Sequence, residues 1–432
     1  MTAGEILEYD RRRVWHPYAS LSNPPRARLA ARTEGIYIET ADGGRLIDGV
    51  ASWWCAAHGH GHPAIVEAIR RQARTMSHVM FGGFTHGPAV ELADRIAAIA
   101  PEGLRNVFFA DSGSISVEVA VKMAIQYQQA KGRPRRCKMV ALEGGYHGDT
   151  ACAMALSDPD GMHTLFKGMM PRHFFAPKPE GDAGRWAEEL EKTIDAHKDE
   201  IAGVICEPIL QAANAMHFYG ADFLRAMRRI CDERDLVLVF DEIAAGFHRT
   251  GPLWAHSRAA DAAPDVMCIG KALTGGHVSL AAAIASDKTA DAISRGNVGA
   301  LMHGPTYMAN PLACAAANAS LELFAAGGYE EKVHHAEEVF KKRLAGVERG
   351  GNVRDVRVLG AVAVVETGRL PERDAIDRVI DGYGVWLRPF ANFIYAMPPL
   401  VCDDAALSRI ADAMAAMAAL PPGREAAGDF HE

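Results

Sequence analysis

Val266-Met-Cys-Ile-Gly-Lys271-Ala-Leu-Thr-Gly-Gly276 is the stretch on which the reading of this chain turns. A short apolar run reads as a buried strand, ends in Gly270, and is followed by a lysine, a threonine and two glycines. In an open α/β sheet, ligands bind in the crevice at the carboxyl ends of the strands, which is where this lysine falls. An ammonium there serves either as a phosphate clamp or as an imine-forming nucleophile. Taken alone, Lys271 would read as an ordinary surface lysine. A second run, Leu236-Val-Leu-Val-Phe240-Asp241-Glu242, argues otherwise, because it delivers carboxylates to the same edge thirty residues upstream.

Working outward, strands and helices alternate from about residue 105 to 285, which indicates a mostly parallel sheet covered on both faces. Asn106-Val-Phe-Phe-Ala110 runs into Asp111-Ser-Gly113-Ser114 and then an apolar helix from about Ile115 to Gln129. A strand, a turn of small residues and a helix together aim free N–H groups and the helix dipole at a phosphate. Ser112 and Ser114 can equally be plain N-caps. Lys138-Met-Val-Ala-Leu leads to Gly144-Gly-Tyr146-His147-Gly148-Asp149, an aromatic and a histidine held between glycines. Ile201-Ala-Gly-Val-Ile205 is another buried strand, ending in Glu207-Pro208, and Leu312 to Phe324 reads as an Ala-rich helix.

The flanks differ from this core. The first sixty residues read as irregular and aromatic, with Gly35 to Asp48 a hairpin about a glycine turn. Ser52-Trp53-Trp54 fits either core packing or the wall of an active site. His58-Gly-His60-Gly-His62 has a metal-like spacing, but no carboxylate accompanies it and the glycines suggest a tight loop, so no metal is expected. After residue 326, helices alternate with strands at Val353–Leu359 and Ala361–Val365, and Val385–Phe390 with Ile394–Pro399 reads as a hairpin-like piece. The expected division is a segment 1–57 joining the small domain, a large domain 58–325, and a small α+β domain 326–432 with a frayed tail from Pro421.

Composition sets the outer bounds. With 432 residues, 49% hydrophobic and 23% charged, the chain has length for a large core. Its net charge of −8 gives no electrostatic reason to expect nucleic acid. No apolar run approaches a membrane span, and the start lacks the basic and apolar regions of a signal peptide. Eight scattered cysteines without a C-x-x-C pair suit reduced thiols in the cytoplasm.

Four strand ends therefore offer a phosphate turn (Gly113, Ser114), an aromatic (Tyr146), a carboxylate (Asp241) and a lysine (Lys271). Pyridoxal 5'-phosphate chemistry asks for these parts. The lysine bonds the cofactor aldehyde and later moves the substrate Cα proton, and the carboxylate keeps the ring nitrogen protonated.

The chain also resembles the fold-type I, class III pyridoxal-phosphate aminotransferases, and among them the branch serving biotin synthesis. The likeness spans nearly the whole sequence. It rests on Trp15-His-Pro-Tyr18, Ser52-Trp-Trp54, His78-Val-Met-Phe-Gly-Gly83, Asp111-Ser-Gly-Ser114 and Gly145-Tyr-His-Gly-Asp-Thr150. It continues through Asp241-Glu-Ile-Ala, Gly270-Lys-Ala-Leu-Thr-Gly-Gly276, His303-Gly-Pro-Thr306, Gly384-Val-Trp-Leu-Arg-Pro389 and Met397-Pro-Pro399. The resemblance implies a cytoplasmic homodimer in which Lys271, Asp241 and Tyr146 are catalytic. Gly113 and Ser114 would hold the phosphate, helped by Pro305 and Thr306 of the neighbouring subunit. Tyr18, Trp53, Tyr146, Gly304 and Arg388 would line the substrate pocket with Lys271, and Arg388 would pair a substrate carboxylate. Asp149 and Arg249 fall at pocket positions as well. The bland readings are a surface ion pair for Arg388 and a packed aromatic for Tyr18. The implied reaction converts 8-amino-7-oxononanoate to 7,8-diaminononanoate with S-adenosylmethionine as amino donor. The rivals are another class III ω-aminotransferase, an aminomutase on the same scaffold, and a non-catalytic protein. Ala245, His248 and Gln211-Ala-Ala-Asn214 depart from the family pattern, His248 near the expected substrate entrance.

Overall fold

The computed structural model describes residues 1–213, 216–347 and 349–423. At its centre lie seven strands: β1 (Leu104–Ala110), β2 (Lys138–Leu142), β3 (Phe174–Ala176), β4 (Ile201–Cys206), β5 (Val237–Asp241), β6 (Val266–Ile269) and β7 (Ala281–Ser286). They pair in the order β1-β7-β6-β5-β4-β2-β3. Only β7 is antiparallel to its neighbours; the other pairings are parallel. Every residue of β4, β5 and β6 is buried. That explains their unbroken apolar runs, because helices cover both faces of the sheet and neither needs polar side chains. Helix α1 (Gly113–Ala130) follows β1 and buries Val117, Val119, Ala120, Val121 and Ala124 against the sheet. Helix α2 (Pro311–Ala325) starts at Asn310, whose side chain accepts from the N–H of Leu312 and Ala313.

The anticipated hairpin forms with Tyr37–Thr40 antiparallel to Arg45–Asp48. Its outer edge pairs with Val385–Trp386, so the first sixty residues reach the C-terminal part through this sheet. Two expectations need correction. The N-terminal stretch is not wholly irregular: Ala3–Arg13 is a helix, closed by a reciprocal capping box between Thr2 and Glu5. The pieces at 385–390 and 394–399 do not form a hairpin. Val385–Trp386 joins the N-terminal sheet, while Phe393–Ala396 pairs with Val362–Thr367, and a single bridge links Phe390 to Phe393. Pro389 lacks the N–H that a longer ladder would need. The tail beyond Gly423 and Asn214 of the Gln211–Asn214 stretch lie outside the described residues.

No helix among the described residues is long and apolar enough to cross a membrane. All eight cysteines are free thiols.

Candidate active site

Parallel register carries the chemistry to one edge. Asp241 ends β5 and stands opposite Cys268 of β6, so Lys271 emerges just beyond it. Phe240 stands opposite Cys206 of β4, which sets Glu207 beside Asp241. A Cβ placed on Gly270 would lie 3.8 Å from the Gly113 Cα and 3.5 Å from the Ile243 Cγ2, so three strand ends meet around Ile243. Lys271 itself is left-handed, at φ +45°. Its ammonium has no hydrogen-bond acceptor among the described residues and lies 4.4 Å from the centre of the Trp54 ring. Loss of hydration lowers its pKa below the ordinary 10.5, with Asp241 pulling the other way.

Asp241 is buried and holds two donors: His147 Nδ1 at 2.8 Å on one oxygen and the Ile243 N–H at 3.1 Å on the other. A carboxylate has further lone pairs, so it can accept a third proton from a ring nitrogen. His147 Nε2 is buried without a partner. Next to this pair, Glu207 accepts from the N–H of Tyr146 at 2.9 Å and of Ala212 at 3.0 Å. Burial pushes the Glu207 carboxyl up to about 7, with His147 opposing.

At the start of α1, Ser112 caps Ile115, while the N–H groups of Gly113 and Ser114 have no acceptor among the described residues. The Ser114 hydroxyl accepts from Asp149 N–H at 3.3 Å. Gly148, at φ +123°, packs so tightly there that a Cβ would stand 2.0 Å from the Ser114 Oγ. The cap and the phosphate readings of this turn are therefore compatible: Ser112 is the cap, and the next two N–H groups stay free. Free helix N–H groups, an acceptor carboxylate and a desolvated lysine fit the phosphate, ring nitrogen and aldehyde of pyridoxal phosphate.

The other wall comes from the N-terminal segment. Ala51, Ser52, Trp53 and Trp54 all have positive φ, between +45° and +72°. Left-handed backbone costs roughly 1–2 kcal/mol per non-glycine residue, so this turn stores several kcal/mol. Opposing that cost are the buried Trp54 side chain, the Ser52 Oγ–H bond to Asp48 at 2.8 Å, and Arg249, which donates to the Trp54 carbonyl at 2.9 Å. Arg249 also donates to the Pro398 carbonyl at 2.6 Å. It is fully buried and braces the backbone of the wall, and desolvation lowers its pKa to about 10.

Trp53, in contrast, is 40% exposed, and the Arg388 guanidinium stacks 4.8 Å above its ring. Arg388 makes no ion pair among the described residues, which sets aside the surface-pair reading. Tyr18 is not a packed aromatic either. It is exposed, and its hydroxyl donates to Asp149 at 2.7 Å. Partial burial raises its pKa, with hydrogen bonds to Asp149 and Tyr146 and the nearby charge of Arg388 also acting on it. His163 bonds the other Asp149 oxygen at 2.9 Å and holds that carboxyl below its usual range. The His163 ring also stacks against Tyr146. Tyr18, Trp53, Tyr146 and Arg388 thus converge.

Gly304, Pro305 and Thr306 are not brought in. Thr306 is exposed and bonds nothing among the described residues, and His303 is held at Lys122, on the third turn of α1 from the phosphate end. The histidines at 58, 60 and 62 point to three different partners, and no metal-binding group of three occurs among the described residues. His248 packs against Tyr329 and Phe324, and burial lowers its pKa. Ala245 is core. Sequence reading placed His147 in a crevice loop without a role at the site, and missed Glu207 and His163. Glu207 follows its strand directly, a signal that was available, whereas His163 lies in a loop with no local pattern.

With this geometry in hand, comparisons place the chain. Residues 18–418 match the family model described as aminotransferase class-III. A Corynebacterium glutamicum protein named adenosylmethionine-8-amino-7-oxononanoate aminotransferase is 42% identical, with 95% of this chain and 97% of that protein aligned. The solved structure of a Methanocaldococcus jannaschii protein of the same name superposes with a TM-score of 0.89 at 30% identity, covering 96% of this chain and 98% of the other. A PLP-bound amine transaminase from an uncultivated Pseudomonas species superposes with a TM-score of 0.86 at 29% identity, covering 94% and 98%.

Proposed function

The chain belongs to the class-III aminotransferase family, and from that premise we propose that it carries an amino group from S-adenosylmethionine to 8-amino-7-oxononanoate. The product is 7,8-diaminononanoate, for biotin, and the enzyme works as a cytoplasmic homodimer with pyridoxal phosphate. The observation that carries this substrate pair is 42% identity over nearly the whole chain to a relative of that name. The unpaired Arg388 over Trp53 supports it, since both substrates bear a carboxylate.

Pyridoxal phosphate, when bound, supplies an aldehyde for an amine and a protonated ring that takes up electrons from the substrate carbon. The residues of this chain do the rest. Gly113 and Ser114 N–H groups would hold the phosphate at the positive end of α1. Asp241, fixed by His147 and the Ile243 N–H, would hold the proton on the ring nitrogen. Lys271 Nζ, partly desolvated, is kept in reach of its neutral form and would move the proton at the substrate Cα. Tyr146 would flank the ring, its backbone tied down by Glu207. Asp149, kept ionised by His163, offers a negative charge opposite Arg388. That polarity suits a donor with a sulfonium and a carboxylate, and then an acceptor with a distant carboxylate.

Rapid mixing of the holo-protein with S-adenosylmethionine alone, and with lysine alone, tests the assignment through its visible absorbance. We expect S-adenosylmethionine to bleach the band and 8-amino-7-oxononanoate to restore it. A response to lysine only would replace the donor. Silence with both would overturn the substrate pair and leave the family.

A further inference from the structure

The motif His58-Gly-His60-Gly-His62 is not used by the reaction, yet His58 lies against the turn that carries the catalytic lysine. His58 is 4% exposed. Its Nδ1 is 2.6 Å from the Tyr329 hydroxyl and its Nε2 is 2.9 Å from the Ser320 Oγ. Ser320, on α2, is 3.2 Å from the carbonyl oxygen of Ala272, the residue after Lys271.

The proton order of this chain is dictated from its far end. A carbonyl can only accept, so the single Ser320 proton goes to Ala272. Ser320 must then accept from His58 Nε2–H. A neutral His58 has a bare Nδ1, which accepts from Tyr329 O–H. Burial depresses the His58 pKa to about 3, so the neutral ring is the resident form.

Two further contacts aim at the same turn. A Cβ on Gly275 would meet the Ile65 Cδ1 at 2.6 Å and the His58 Cδ2 at 3.3 Å, and one on Gly276 would meet the Ala56 backbone at 3.2 Å. The Ala272 carbonyl also accepts from Gly275 N–H at 2.9 Å. The lysine turn is thus clasped between the 56–58 segment and α2. Lys271 needs such a clasp, because its left-handed φ persists only where its surroundings over-determine it. From the other side, His60 Nε2 bonds the same Asp48 oxygen that holds Ser52 in the left-handed turn. That turn carries Trp54 under the lysine ammonium.

We propose that His58 is a positioning residue for Lys271: through Ser320 it holds the Ala272 carbonyl, and so fixes the backbone from which the lysine projects. The proposal rests on the role given to Lys271 above. Ser320→Ala cuts the last link and removes one oxygen; His58→Phe removes both ring bonds; His58→Gln keeps a donor and an acceptor. In the cofactor-free protein, amide exchange at Gly275 is expected to quicken by about tenfold in Ser320→Ala, with β1 unchanged. In the holoenzyme kcat should fall by about tenfold with KM for both substrates nearly constant, and the pH midpoint of the visible band should move. His58→Gln should recover part of each loss. Wild-type exchange at Gly275 together with a wild-type band midpoint in Ser320→Ala overturns the proposal, even if His58→Phe fails to fold. Failure of the wild-type protein to retain cofactor on Lys271 after borohydride reduction would instead overturn the function proposed above, and the exchange arm would still decide the role of the chain.

Discussion

The role proposed for Lys271 needs an unprotonated amine, and its surroundings favour that form. Dehydration lowers its pKa from 10.5, a shift that Asp241 limits without cancelling. Attachment of pyridoxal phosphate to the cofactor-free protein should therefore rise with pH through an inflection below 10.5. An inflection at the ordinary value would mean a hydrated lysine with no special environment. Lys271→Ala should abolish retention of cofactor after borohydride reduction while the protein stays folded, because no hydrogen bond among the described residues uses the ammonium. Arg249 shows the opposite economy: a fully buried guanidinium that spends its bonds on carbonyls at Trp54 and Pro398. Its position close to the pocket, read from resemblance, is met by a bracing geometry.

At the scale of elements, the site depends on turns that only particular backbones allow. The loop after β2 passes within contact of Ser114 because Gly148 has no Cβ. Gly148→Ala should force the loop away from the start of α1 and weaken cofactor binding by tenfold or more, roughly, as judged by fluorescence titration of the cofactor-free protein. An unchanged affinity would show that this loop does not shape the phosphate site. The turn Ala51–Trp54 is the costlier device, with four left-handed residues and no glycine. Its bonds to Asp48 and Arg249 and the burial of Trp54 supply stabilisation of comparable size, roughly 3–5 kcal/mol from the tryptophan alone. The result places the Trp54 indole beneath the lysine and the preceding one, Trp53, beneath Arg388.

At the scale of the whole molecule, Thr306 stands exposed and Pro305 half-buried, and among the described residues neither bonds the phosphate turn of its own chain, as subunit sharing would require. Mixing refolded Lys271→Ala chains with Thr306→Ala chains tests this. If Thr306 serves the other subunit's site, each mixed dimer rebuilds one intact site and activity reappears. If it serves its own chain, mixing restores nothing.

Global stability should also follow pH with a definite sign. Burial lowers His58 to about 3 and His173 to about 4. Their contributions are present above the unfolded value of 6.5 and are lost as pH falls through that window. Glu207 is raised to about 7, so its contribution is present below 4.5 and is lost as pH rises. Two histidines outweigh one carboxyl between about pH 5 and 6, and unfolding free energy from urea titration should rise there by about 1 kcal/mol per unit from these groups. A flat or falling profile would contradict the burial of the two rings.

The sequence by itself determined the sheet and the address of the chemistry. Unbroken apolar runs marked β4, β5 and β6 because both faces are covered, and the chain at the ends of β1, β2, β5 and β6 marked Gly113, Tyr146, Asp241 and Lys271. These are local signals, carried by neighbours along the chain. Tertiary structure alone decided how those groups are held. His147 reaches Asp241 across 94 residues and His58 reaches Ser320 across 262, and no local pattern encodes a bond between such distant side chains. The left-handed turn at 51–54 was illegible for a different reason: positive φ is signalled by glycine, and here none is present. Val385–Trp386 left its expected hairpin partner because strand pairing depends on which edge lies open in the assembled fold, and the open edge was at Arg45–Asp48.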